Sequence, residues 1–260
     1  MQQDEIDILS VRPGARPAWA GAAGEIAPTR LGDAVIDRLT SAILEGHLKP
    51  GDALPSEAQI ASTFGVSKPI AREALRELAA MGVVQVQQGK ISRVRAIDSE
   101  PLSRFYRFAM ARTERGLHEA VELRRLLEPP IARFAAQRRT EPELAELRAI
   151  MRRMNDALGD IPGWIEVDLA FHRHLATMAH NGLLSLQMQG LEPIVREMME
   201  AFNARSARTG ADWSATFARH ALLADAIEAG DADAAERASR AHFAAADQAI
   251  AEIFGSAKSD

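Results

Sequence analysis

Residues 65–78 read Gly65-Val66-Ser67-Lys68-Pro69-Ile70-Ala71-Arg72-Glu73-Ala74-Leu75-Arg76-Glu77-Leu78. A turn ends at Gly65, Ser67 is suited to cap a helix, and a helical pattern follows. On that helix Lys68, Arg72 and Arg76 recur every four residues and form one cationic stripe. Glu73 and Glu77 stand about 100° round the cylinder. Ala71, Ala74, Leu75 and Leu78 take the opposite side. A basic outer stripe, a polar N-terminus and an apolar back suit a helix laid in the DNA major groove.

A solvated amphipathic helix would carry the same pattern, so the neighbours decide. Pro55-Ser56-Glu57 opens an upstream helix bearing Ile60, Ala61 and Phe64, and Phe64-Gly65-Val66 is the short turn of a helix-turn-helix. Downstream, Val83–Gln87 alternates like a strand, Gly89 marks a turn, and Ile91–Arg95 returns. Three helices and a hairpin carrying Lys90, Arg93 and Arg95 make a winged helix-turn-helix over residues 29–96.

The chain has 260 residues, enough for two cores, and no cysteine, which excludes disulfides and thiolate metal sites. No stretch is apolar enough to span a membrane, and residues 1–28 lack a signal-peptide core, so a cytoplasmic protein without a membrane partner is expected. Residues 1–28 carry Pro13, Pro17 and Pro28 without periodicity and read as a disordered arm. The net charge of −5 divides unevenly. Residues 29–96 hold nine Lys/Arg against seven Asp/Glu, whereas 97–260 hold twenty against twenty-five. The basic excess lies in the DNA-binding unit, where local placement must outweigh bulk charge.

Residues 97–103 read as a linker, and strand signals vanish beyond it. Seven helical patterns follow, over 102–112, 116–138, 141–158, 163–180, 183–208, 212–229 and 231–254. The fold class is therefore mainly α: the winged unit, an all-α bundle over 104–254, and a tail at 255–260.

Four side chains in the bundle have the chemistry and spacing of metal ligands. Asp168 and His172 are i and i+4 on one helix and share a face. His220 and His242 lie on the last two helices, joined near Gly230-Asp231, and are equidistant from residue 231. An antiparallel hairpin there sets them side by side. One carboxylate and three imidazoles suit a divalent ion, Zn²⁺ first, with Ni²⁺, Co²⁺ or Mn²⁺ also compatible. Unrelated surface histidines are the competing reading. Arg124 and Glu128 form a further i, i+4 pair, and an interior-facing Arg124 could clamp a carboxylate. Asn181 reads either as a cap of the Asp168 helix or as a ligand contact.

In these motifs the chain resembles the GntR transcription regulators, in the FadR subfamily with an FCD effector domain. The resemblance runs from about residue 30 onward. It rests on Leu48–Glu57, Gly65–Lys68 and Ala71–Leu75, then on Leu123–Glu128, Asp168–His172, Asn181, His220 and Gly230–His242. It implies a homodimer on a palindromic double-stranded DNA operator and a small carboxylate effector in the helical domain. Ser67, Lys68 and Arg72 match DNA-contacting positions, and Gly89 and Lys90 match the wing tip. Asp168, His172, His220 and His242 match the metal ligands of the metal-containing branch. Arg124 matches a pocket arginine that meets the effector, and Asn181 belongs to the same motif set. Two positions depart from the pattern: Ala58 stands where many members have an arginine, and Ile91 where the wing has a second glycine. The run Glu128–Ala136 looks most like regulators of sugar-acid catabolism.

The expected function is a ligand-responsive transcriptional regulator, a repressor of a catabolic operon, and not an enzyme. Two other readings use the same residues. A metal sensor would make the ion itself the signal. A metalloenzyme with a DNA-binding appendage would need a general base, and Glu166, two residues from Asp168, should point elsewhere on the helix.

Overall fold

A computed structural model describes residues 29–86, 91–111, 116–205 and 209–254. The chain divides into two compact units, residues 1–97 and 98–260, each with its own core. The architecture is the expected one, a winged helix-turn-helix followed by a helical domain.

In the first unit α1 (Thr29–Leu44), α2 (Glu57–Phe64) and α3 (Lys68–Ala80) precede a hairpin of β1 (Val84–Gln85) and β2 (Arg93–Val94). A capping box starts α2. The Gln59 amide N–H donates to Ser56 Oγ, and the Ser56 N–H donates to the Gln59 side chain. Gly65 ends α2 in the left-handed region at φ 67°, where a side chain would be strained. Ser67 precedes α3 with extended backbone, but its hydroxyl makes no capping hydrogen bond. Pro69 lies in the first turn of α3, where a missing N–H costs no helical bond. Ala71, Ala74, Leu75 and Leu78 are the buried face of α3, against Val35, Leu39 and Ile60. The strands are shorter than their alternation suggested. Val84 pairs with Val94 and Gln85 with Arg93, while Val86 and Ile91 are exposed and gain nothing from pairing.

The second unit consists of α4 (Glu100–Met110), α5 (Gly116–Arg138), α6 (Glu141–Asp156), α7 (Ile161–Met178), α8 (Gly182–Arg205), α9 (Gly210–Ala229) and α10 (Ala232–Phe254). The expected linker at 97–103 is therefore corrected. Helix α4 already starts at Glu100, because Pro101 falls in its first turn, where proline is tolerated. Helix α5 packs on α7, α9 and α10, and its Ala132, Ala135 and Ala136 let the neighbours approach closely. Gly230, at φ 75°, caps α9 and reverses the chain into α10. Asp231 Oδ1 then accepts from the Ala234 N–H to start α10.

Leu78 is fully buried among the helices of the first unit. Leu78→Ala should cost about 2–5 kcal/mol by cavity formation. Hydrogen exchange should show the lost protection within residues 29–97 and unchanged protection in α5, α7, α9 and α10. Equal loss in both units would contradict separate cores.

Candidate functional site

On α3, Lys68 and Arg72 are exposed, and together with Arg76 they face a groove also lined by Ser56, Glu57 and Ala58. Arg72 is not loose in solvent. Its Nε donates to both Glu57 oxygens at 3.0 and 3.1 Å, and Nη2 donates to Oε2 at 2.9 Å. This fork from α2 fixes the Arg72 guanidinium over the helix junction and holds the Glu57 carboxyl below its ordinary range. Arg76 pairs more loosely with Glu73 at 3.5 Å. Gly89 and Lys90 lie outside the described residues.

The second cluster lies inside the helical unit. Asp168 and His172 come from α7, His220 from α9 and His242 from α10, and all four are buried. One nitrogen from each of His172, His220 and His242 lies within 4.8 Å of the other two. The His220 and His242 ring centroids are 4.5 Å apart, the adjacency that their equal distances from residue 231 require. Asp168 Oδ1 is 3.0 Å from His220 Nε2, and Oδ2 is 3.8 Å from His172 Nε2.

Protons decide what this arrangement can hold. His220 Nδ1–H donates to the Thr216 carbonyl at 2.9 Å, and His172 Nδ1 is held by the Glu128 carboxylate. With Nδ1 of both rings engaged in this way, Nε2 is the nitrogen that each turns towards the cluster. Both Nε2 atoms, and His242 Nδ1, are buried without a hydrogen-bond partner. Burial, with His220, His172 and Arg124 nearby, keeps the pKa of His242 well below its ordinary value, so its ring is neutral near pH 7. Burial alone would raise the Asp168 pKa. The His220 contact and the facing His172, His220 and Arg124 outweigh it and hold the carboxyl far below the usual carboxylate range. Three buried imidazole nitrogens without a hydrogen-bond partner thus converge beside an ionised carboxylate, an arrangement that a cation among them would satisfy. Imidazole nitrogen and carboxylate oxygen are the donor set of a divalent transition metal or zinc, so the residues fit such an ion.

Glu128 supports the cluster, a role not assigned to it from the sequence. It is buried between Arg124 and His172 and stays ionised against its desolvation because both face it. A carboxylate that holds the distal nitrogen of a ligating histidine fixes the ring and its tautomer. The i, i+4 spacing to Arg124 revealed half of this arrangement; nothing local linked Glu128 to His172. Arg124 is buried as expected and lies 5.3 Å from the Phe243 ring centroid. Asn181 requires correction. It is exposed, and its Oδ1 accepts from the Leu183 and Leu184 N–H groups, so it caps α8, not α7, and is not part of the cluster. Two further histidines of the helical unit lie elsewhere, His174 on the Glu143 carbonyl and His180 on the Glu143 carboxylate. Glu166 turns to Arg196 and offers no general base here.

A winged helix-turn-helix followed by a bundle with a polar, ligand-competent interior is the plan of a transcription regulator with a separate C-terminal domain. The comparisons with known proteins bear this out: the chain belongs to the gntR family of bacterial regulatory proteins, which matches residues 31–94, and an FCD domain matches residues 119–245. It is similar to the HTH-type transcriptional regulator LutR of Bacillus subtilis, with 30% identity over 82% of this chain and 97% of that one. The galactonate operon transcriptional repressor of Escherichia coli is 28% identical over 85% and 97% of the two chains. A putative L-lactate dehydrogenase operon regulatory protein of the same species is 29% identical over 84% and 85%. Among solved structures, Streptococcus agalactiae GntR superposes with a TM-score of 0.64 at 26% identity, over 84% of this chain and 99% of that one. The chain is accordingly a DNA-binding transcription regulator, not an enzyme. No helix among the described residues is long and apolar enough to cross a membrane.

Two outcomes test the geometry of the cluster. His242 has a folded pKa below its unfolded value of about 6.5, so between the two values the unfolded chain binds more protons and stability rises with pH. Metal-free protein should therefore lose stability as the pH falls below about 6.5 towards 5, by up to about 1.4 kcal/mol per pH unit from this group. His242→Gln should flatten the slope; an unchanged slope would remove His242 from the balance. Separately, Glu128→Ala leaves the buried Arg124 guanidinium unpaired, which should cost about 3–5 kcal/mol in chemical denaturation. A cost below about 1 kcal/mol, the range of an exposed pair, would mean that Arg124 finds solvent.

Proposed function

We propose that this chain is a cytoplasmic, ligand-responsive repressor of a catabolic operon, working as a homodimer on a palindromic operator. In this reading Asp168, His172, His220 and His242 hold a divalent ion, Zn²⁺ first, and the effector is a small hydroxy-carboxylate such as a sugar acid. The observation that carries it is the convergence of three buried imidazole nitrogens, none with a hydrogen-bond partner, beside an ionised carboxylate.

A bound ion would supply a Lewis-acidic centre for carboxylate and hydroxyl oxygens. The chain supplies the rest. Glu128 orients His172 through Nδ1, Thr216 does the same for His220, and Arg124 brings a second, fixed positive charge to one side of the cluster. Galactonate and lactate, after which two of the relatives' operons are named, are both 2-hydroxy acids. DNA contact falls to Ser67, Lys68 and Arg72 at the start of α3, with Gly89 and Lys90 at the wing, and Glu57 keeps the Arg72 fork in place. The effector shifts operator occupancy only so far as it binds the DNA-competent and DNA-incompetent states with different affinity.

A metal-sensing function is the second reading, and one observation favours it. The void beside Arg124 and His172 measures about 10 Å³, room for one water and not for a carboxylate.

A thermal-shift screen of metal-loaded protein against D-galactonate, L-lactate and related acids separates the two. At ~100 times its dissociation constant an effector adds about 2.7 kcal/mol to the folded state, and the same acid should release operator DNA. Both effects should vanish in His220→Ala while operator affinity without effector persists. Retained metal with no response to any acid, and operator binding that follows free metal concentration, would instead establish the sensor.

A further inference from the structure

An ion pair forms part of the wall that the void beside Arg124 and His172 shares with an outer cleft. Arg173 on α7 and Glu192 on α8 are the two residues common to the inner void and to an outer cleft of about 410 Å³. Arg173 Nη1 donates to both Glu192 oxygens at 2.9 Å. Arg173 is half exposed and Glu192 mostly covered, so the pair spans from solvent to interior. Leu169, Met188 and Val195 form the apolar lining of the void between the pair and Arg124.

The outer cleft presents three guanidiniums on one surface. Arg107, Arg173 and Arg196 line it against Glu192 and Glu197, and Ser103 adds a hydroxyl. Arg107 is occupied by Glu197 at 3.1 Å, and Arg196 turns to Glu166. A carboxylate arriving here meets three guanidiniums, each already holding a carboxylate of the protein. Exchanging one carboxylate for another on Arg173 needs no new kind of contact and leaves no cation unpaired. It also releases Glu192 from α7 and opens the void beside Arg124 and His172.

We propose that the cleft between α4, α7 and α8 is the outer part of the effector site, and that Arg173 receives the carboxylate of a small organic acid in exchange for Glu192. This rests on the metal-and-carboxylate reading of the inner cluster. Arg173 is thereby a specificity-determining residue that admits anions ahead of neutral molecules of equal size.

The test measures access to the cluster directly in full-length Ni²⁺-loaded protein. The rate of metal removal is followed against concentration for two small planar chelators, dipicolinate (a dicarboxylate) and 1,10-phenanthroline (uncharged). Glu192→Gln should raise the second-order rate constant for both by about fivefold, the rate equivalent of losing an ion pair of this exposure. Arg173→Met should raise the phenanthroline rate similarly but lower the dipicolinate rate, reversing the preference between them. Metal affinity at equilibrium should stay within about twofold in both variants, and Glu228→Gln, which breaks a surface pair with Arg148 on other helices, should change neither rate. Bound metal with unaltered rates, or rates that rise only as metal affinity falls, overturns the proposal and leaves the metal site standing. Protein that binds no Ni²⁺ overturns the underlying reading itself.

Discussion

Two carboxylates are buried and ionised inside the helical unit, and the surrounding architecture answers to that constraint. An isolated ionised carboxylate in an apolar interior would take up a proton. Glu128 avoids this between Arg124 and His172, and Asp168 avoids it against His220 and His172. The stabilising groups come from α5, α7 and α9, so these helices must hold their mutual register for either charge to persist. Helix α10 adds His242, whose ring stays neutral in the same field. A bundle held only by aliphatic packing could tolerate small slips; one with charges buried in sequence-distant pairs cannot.

The two units use arginine in opposite ways that follow from solvent exposure. Arg72 on the first unit is forked onto Glu57 at the surface, where such a pair adds little stability but reduces the freedom of a long side chain. Its effect is geometric, since it aims a guanidinium that would otherwise wander. Arg124 on the second unit is nearly without solvent contact, so the same chemistry becomes a condition of folding. Ala58, beside Glu57, adds no charge to the groove, whose cations are Lys68, Arg72 and Arg76.

Much of this was legible in the chain because the relevant spacings are periodic. Lys68, Arg72 and Arg76 follow the helical repeat, as do Asp168 with His172 and Arg124 with Glu128. The His220–His242 pair was legible for a different reason: a hairpin turn makes equal distances along the chain into neighbours in space. Contacts without any periodicity stayed hidden. Glu128 meets His172 across 44 residues, and Arg173 and Glu192 meet across the α7–α8 turn at unequal distances from it. The boundaries of α4 and the two-residue strands were missed for a local reason. Proline is accepted at a helix start as readily as in a linker, and alternation predicts which faces are apolar, not how far a ladder extends. Asn181 read as a cap of the Asp168 helix or a ligand contact, and only the hydrogen bonds from Leu183 and Leu184 assign it to α8.

The turn at Gly230 decides whether the histidines meet at all. Its φ of 75° lies in the region that favours glycine, and a Cβ there would run into the Arg139 guanidinium. Arg139 donates to the Glu228 and Ala136 carbonyls, so it ties this same turn to the end of α5. One residue more or less between α9 and α10 would rotate α10 by about 100° and carry His242 off the face it shares with His220. It would also swing Phe243 away from Arg124. The chemistry of the cluster therefore depends on a reversal ten residues from the nearest ligand, which is why the length of this turn constrains the site as strongly as the ligands do.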